Sequence, residues 1–102
     1  MNTIHIPATV GTTTLVCPLC GCPWTHIDEV LAITRPREDA PATTFLVGGG
    51  KAKVTDEQGF DPGRRQSFTL LGTCEWGGCN FAITFKQNRG ETEVSVTNRG
   101  ED

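Results

Sequence analysis

No apolar stretch in this sequence approaches the roughly eighteen residues of a membrane-spanning helix, so no membrane span is expected. The first residues, Met1-Asn2-Thr3-Ile4-His5-Ile6-Pro7, lack the basic start and apolar run of a secretory signal. Positive charge is also short: 9 Lys and Arg stand against 12 Asp and Glu, a net charge of −3. That balance disfavours broad electrostatic attraction to nucleic acid. There is no internal repeat, heptad or low-complexity tract, which sets aside solenoids and coiled coils. Apolar residues make up 36% of 102 positions. A chain of that length is one domain, burying between about 60% and 70% of its unfolded surface, so its core is thin.

Against those shortages the chain carries 12 glycines, 6 prolines and 5 cysteines. Four of the cysteines form two close pairs, Cys17 with Cys20 and Cys74 with Cys79. In Val16-Cys17-Pro18-Leu19-Cys20-Gly21 two residues separate the thiols. Pro18 presets φ inside the turn, and Gly21 can take the positive φ that reverses the chain. Cys74-Glu75-Trp76-Gly77-Gly78-Cys79 has four intervening residues, two of them glycine, and can form a looser turn of the same kind. Two facing turns supply four thiolates, a closed tetrahedral set that suits structural zinc and leaves no position for water. With no signal peptide and an odd cysteine count, a reducing cytoplasm is the expected compartment, where thiols favour metal over disulfide. Zinc binding worth about 10–16 kcal/mol in small finger peptides matches or exceeds a whole domain's ~5–15 kcal/mol, so it can replace a thick core.

The turn Cys17-Pro18-Leu19-Cys20-Gly21 resembles the knuckle of zinc-ribbon (rubredoxin-like knuckle) proteins, in which two cysteine turns pin two β-hairpins together. The wider order is a knuckle, a His-containing strand, a Gly-rich middle, and a last cysteine turn leading into a hairpin. It looks like small zinc-ribbon proteins of bacteriophages and actinobacteria. The resemblance implies a structural Zn2+ on Cys17, Cys20, Cys74 and Cys79 and no particular activity. If the chain is a phage product, it implies the host cytoplasm and a host factor as target. The spacing of Cys74 and Cys79 departs from the usual two residues, and residues 35–70 are largely unmatched.

Read along the chain, residues 1–11 are an arm or edge strand, interrupted by Pro7 and Gly11. Residues 12–16 are mostly β-branched and suit a strand leading into the first knuckle. In residues 25–34, Ile27, Leu31 and Ile33 share one parity while His26, Asp28, Ala32 and Thr34 share the other. A strand is expected there, with a helix over 28–33 as the competing reading because Glu29 and Val30 break the alternation. Residues 35–66 form a loop-rich insertion between the knuckles, containing one hairpin: Phe45-Leu46-Val47, a glycine turn at 48–50, then the alternation from Lys51 to Thr55. Residues 67–74 alternate into the second knuckle. Phe81, Ile83 and Phe85 then share a strand face, Asn88-Arg89-Gly90 turns the chain, and Val94 and Val96 alternate on the return. Residues 98–102 read as a frayed polar tail. The expected fold is mostly β, antiparallel hairpins stapled by a four-cysteine zinc-ribbon site in one domain, 1–102.

The same residues admit other uses. Cys22 and His26 are neighbours of the site or alternative ligands, in a local set of Cys17, Cys20, Cys22 and His26 that would leave Cys74 and Cys79 to pair. Pro23 holds Cys22 extended and opposes that set. Iron in the same cage would make an electron carrier. A zinc deaminase needs His-x-Glu before Pro-Cys-x-x-Cys, and a thioredoxin motif needs a helix N-terminus; neither fits. Catalytic zinc needs an open position, so no enzyme and no small-molecule substrate are expected. Gly48-Gly49-Gly50-Lys51 is followed by Ala52 and fails the phosphate-loop pattern. Trp24 and Trp76 lie near the knuckles, where they shield the metal or anchor a protein partner. Arg64 and Arg65 with other basic residues offer the rival reading of a nucleic-acid-binding ribbon. The favoured expectation is a protein-interaction module.

Overall fold

The computed structural model describes residues 12–37, 39–55, 66–88 and 90–100, and strands form over the alternations at 25–34, 51–55, 67–74, 81–85 and 94–96 and over the apolar run at 45–47. They are β1 (Thr25–Thr34), β2 (Thr43–Gly48), β3 (Lys51–Thr55), β4 (Ser67–Cys74), β5 (Asn80–Asn88) and β6 (Glu91–Asn98). All six join one sheet in the order β3-β2-β1-β4-β5-β6, and every pairing is antiparallel. The sheet is thus two three-stranded meanders joined through β1 and β4. The hairpin expected inside the 35–66 insertion is β2–β3, and it extends the sheet rather than standing apart from it. The helix considered over 28–33 does not form.

Residues 12–16 are not a strand. Their β-branched composition suits one, but the sheet's edges are β3 and β6, and neither pairs with this segment. Instead Leu15 packs on the core beside the cysteines, and its carbonyl accepts the Thr25 hydroxyl at 3.4 Å. The far end of the chain is also tied down. Asn98 closes β6, the Arg99 N–H donates to the Asn80 carbonyl, and the Gly100 carbonyl accepts from the Asn80 side chain. Those bonds hold the first residues of the segment expected to fray. The arm at 1–11 lies outside the described residues.

In β1, pairing with β4 steps from Ile27↔Gly72 to Glu29↔Leu71, so Asp28 is the extra residue of a β-bulge. The bulge reverses the parity of everything before it. Ile27, in step with Leu31 and Ile33 by number, therefore points to the opposite face. It is exposed while Leu31 and Ile33 are buried.

Register across the sheet sorts the side chains into two faces. On one, Val94, Phe85, Phe68, Ala32, Phe45 and Val54 form a row over all six strands. A second row beside it runs Val96, Ile83, Leu70, Val30, Val47, Ala52. The rings of Phe68 and Phe85 meet edge to face at 5.9 Å. The cysteine turns pack on the β5–β6 half of this face, over Phe81, Ile83 and Val96, with Leu15 and Leu19 alongside. On the other face Leu31, Ile33, Leu71 and Ala82 are buried, and the buried Thr69 and Thr84 hydroxyls satisfy each other at 3.0 Å.

Candidate metal centre

Each cysteine turn is shaped by its own backbone. In the first, the Cys17 N–H donates to the Cys22 carbonyl at 2.7 Å and the Gly21 N–H to the Cys17 carbonyl at 2.8 Å. Gly21 takes a φ of 84° to close it. In the second, which is also the β4–β5 connection, the Cys74 N–H donates to the Cys79 carbonyl at 3.1 Å. The two turns are then bonded to each other: the Glu75 N–H donates to the Trp24 carbonyl at 3.0 Å, continuing the β1–β4 pairing past Thr25↔Cys74. That extension carries the segment after the first turn alongside the start of the second.

The result is a cluster of four sulfurs, one each from Cys17, Cys20, Cys74 and Cys79, all within 4.8 Å of one another. The Sγ atoms of Cys20 and Cys74 are 3.5 Å apart. A tetrahedral ion with bonds of about 2.3 Å to sulfur sets the sulfurs about 3.8 Å apart, so this group fits such an ion with little movement. Three of the four residues are buried and Cys20 is exposed. Gly77 closes over the group: a Cβ there would sit 3.3 Å from the Cys79 sulfur, 3.5 Å from that of Cys20 and 3.6 Å from that of Cys74. A side chain at 77 would fill the space above the sulfurs, and glycine leaves it open.

The electrostatics point the same way. Backbone N–H donation from Cys79, then from Gly77, brings the Cys74 thiol down to about 6 from an ordinary 9.0. Burial first, and then the neighbouring thiols of Cys74 and Cys20, push Cys79 up to about 12. Cys20 is raised as well: the Cys22 N–H works against this, while the Cys74 thiol and burial outweigh it. Four thiols this close cannot all ionise beside one another, since each thiolate penalises the next. A divalent cation at their centre removes that conflict. The four-cysteine cluster can hold a metal ion.

Cys22 and His26 stand outside the group. Cys22 is buried and its sulfur accepts the Trp24 N–H at 3.4 Å, so it shapes the exit of the first turn. The His26 ring bonds Glu75 through Nε2 at 2.7 Å, on the exposed side of the β1–β4 junction. The local site of Cys17, Cys20, Cys22 and His26 is therefore not assembled. Trp24 and Trp76 are 56% and 70% exposed, which corrects the expectation that they shield the metal: both rings face solvent beside the site. Arg64 and Arg65 lie outside the described residues. Gly77 is a position whose role the sequence barely signals. Its only signal is that the turn spends two consecutive glycines where positive φ is needed at one, Gly78, with φ 62°.

Comparison with protein-family models, with curated proteins and with solved structures finds no match. Among the described residues no helix is long and apolar enough to cross a membrane. Fold and site together define a small antiparallel β protein with a four-cysteine centre able to bind a metal.

Proposed function

We propose that this chain is a non-enzymatic zinc protein whose ion is structural and whose work is to bind another protein. The observation that carries the reading is the set of four cysteine sulfurs within 4.8 Å, set on the apolar core of Phe81, Ile83 and Val96. Thiolates favour zinc, or iron in a rubredoxin-like centre, over hard cations such as magnesium or calcium. Zinc is preferred because the five-residue advance from Cys74 to Cys79 departs from the rubredoxin spacing. Four protein ligands complete a tetrahedron and leave none for substrate or water, so the ion holds the turns together rather than acting on a substrate. What the centre supports is the exposed pair Trp24 and Trp76, held beside it by the Glu75 to Trp24 backbone bond. Tryptophan is among the residue types enriched at the anchoring positions of protein interfaces.

The test has two parts. Elemental analysis of the purified chain should give one zinc per chain, and a coloured protein with visible absorption would replace zinc by iron. Trp24→Ala and Trp76→Ala should then abolish capture of a protein partner while leaving metal content unchanged. Capture of nucleic acid instead, weakening steeply with salt, would reject the protein-binding reading.

A further inference from the structure

Both rows on the knuckle face are apolar from edge to edge, yet the cysteine turns cover only their β5–β6 half. On the rest, Ile27, Phe45, Val47, Val54 and Phe68 remain 39–66% exposed. They are contiguous: Phe68, Ala32, Phe45 and Val54 are successive partners across β4, β1, β2 and β3, with Leu70, Val30 and Val47 in the next row. Charge is sorted with equal consistency. By register, Glu29, Lys51, Lys53, Lys86, Glu91 and Glu93 all fall on the opposite face, and apart from the unpaired bulge residue Asp28 the strands place no charged residue on the knuckle face.

We infer that this uncharged half-face is the contact between two copies of the chain, sheet against sheet across a two-fold axis. Area and charge both favour a second copy. With an aromatic worth about 150–250 Å² and the aliphatics somewhat less, the exposed residues and their half-buried neighbours present about 500–600 Å². That is the upper end of what a monomer ordinarily leaves bare, about 300–600 Å². Doubled, it gives about 1,000–1,200 Å², which reaches the lower bound for a specific interface. A surface with no charge has nothing with which to select a charged partner. Its closest complement in polarity is its own copy, and a two-fold contact lets the same patch serve both sides. Aligned sheets about 10 Å apart are the ordinary way to bury such rows. The β3 edge, which borders this half-face, opposes the other route to association, because Lys51 and Lys53 line it and guard it against strand addition. The inference does not rest on which metal the cysteines hold.

The test is sedimentation equilibrium of the metal-loaded full chain over roughly 1 to 500 µM, the range for an interface of this size. A mass rising from 11.0 kDa to twice that is expected. Val47→Glu and Val54→Glu place charge on side chains already exposed in the single chain, so each should fold, bind metal, and weaken association at least about tenfold. Lys53→Glu, on the opposite face of the same strand, should leave association unchanged. A wild-type chain monomeric throughout overturns the inference and leaves the face to a different protein. Association lost in Lys53→Glu but kept in the valine variants overturns it in favour of edge pairing.

Discussion

The sulfurs of Cys20 and Cys74 lie 3.5 Å apart although the two residues are 54 positions apart in the chain. Their proximity couples the two cysteine turns, and through them the segment that precedes β1 to the β4–β5 connection. Metal binding is expected to be folding free energy here, as in small zinc domains, where it amounts to about 10–16 kcal/mol. Chelation should therefore lower the melting temperature sharply, and Cys74→Ser or Cys17→Ser should do the same while reducing metal content. Circular dichroism with metal analysis on the same samples reads both. A chelated chain with unchanged thermal stability would show that the sheet stands without the ion.

Cys22 separates ligand from bystander. It is buried, but its role is to accept the Trp24 N–H. Cys22→Ala should bind metal at the wild-type ratio and cost about 1–3 kcal/mol, the penalty for an N–H left without its acceptor. Loss of metal in that variant would make it a ligand and revive the local site with His26. His26→Ala should matter less still, because its bond to Glu75 is solvent-exposed and such pairs are worth about 0–1 kcal/mol.

Much of this was readable before any coordinates. The knuckle residues announce themselves because thiols must be paired in sequence to curl around one ion. The Phe81-Ile83-Phe85 face holds because nothing interrupts its period of two. The bulge at Asp28 was not readable: a single extra residue changes which face Ile27 takes, and only the pairing with Gly72 and Leu71 reveals it. The segment 12–16 misleads for the opposite reason. Its residues suit a strand, but strand identity depends on a partner edge, and composition does not say whether one is within reach.

The metal-free chain should show a pH dependence set by the thiols. Cys74, brought to about 6, is ionised in the fold when it would still hold its proton in the unfolded chain at 9.0. Its contribution is present in full above pH 9 and lost as pH falls through 6. Cys79, pushed to about 12, keeps its proton in the fold and opposes folding as pH rises above 9. Melting temperature should rise from pH 6 to 9 and decline beyond it, and Cys74→Ser should flatten the rising limb. An unchanged rise in that variant would assign it to another group.

Thr69 and Thr84 form a buried pair on strands β4 and β5, each hydroxyl the other's partner. Removing one strands the other, so Thr69→Val alone should cost about 1–3 kcal/mol. Thr69→Val with Thr84→Val keeps the shape and leaves no orphan hydroxyl, and should recover most of that loss. Additive losses in chemical denaturation would mean that the two hydroxyls act independently.

Gly72 is required by its neighbours rather than by its own conformation. A Cβ there would stand 2.7 Å from the His26 carbonyl oxygen and 2.7 Å from Cζ of Phe81. The ring can turn aside, but the carbonyl belongs to β1 backbone and cannot move without disturbing the β1–β4 register next to the bulge. Phe81 in turn lies in the core beneath the cysteine turns, so displacing it transmits the clash to the metal centre. Gly72→Ala should thus cost about 1–3 kcal/mol, as overpacking does in a full core, and weaken metal retention against a chelator. Adding Phe81→Leu would remove the ring contact but not the carbonyl contact, and should restore metal retention more than it restores stability. If Gly72→Ala alone is as stable as the wild type, the ring does not lie across that glycine.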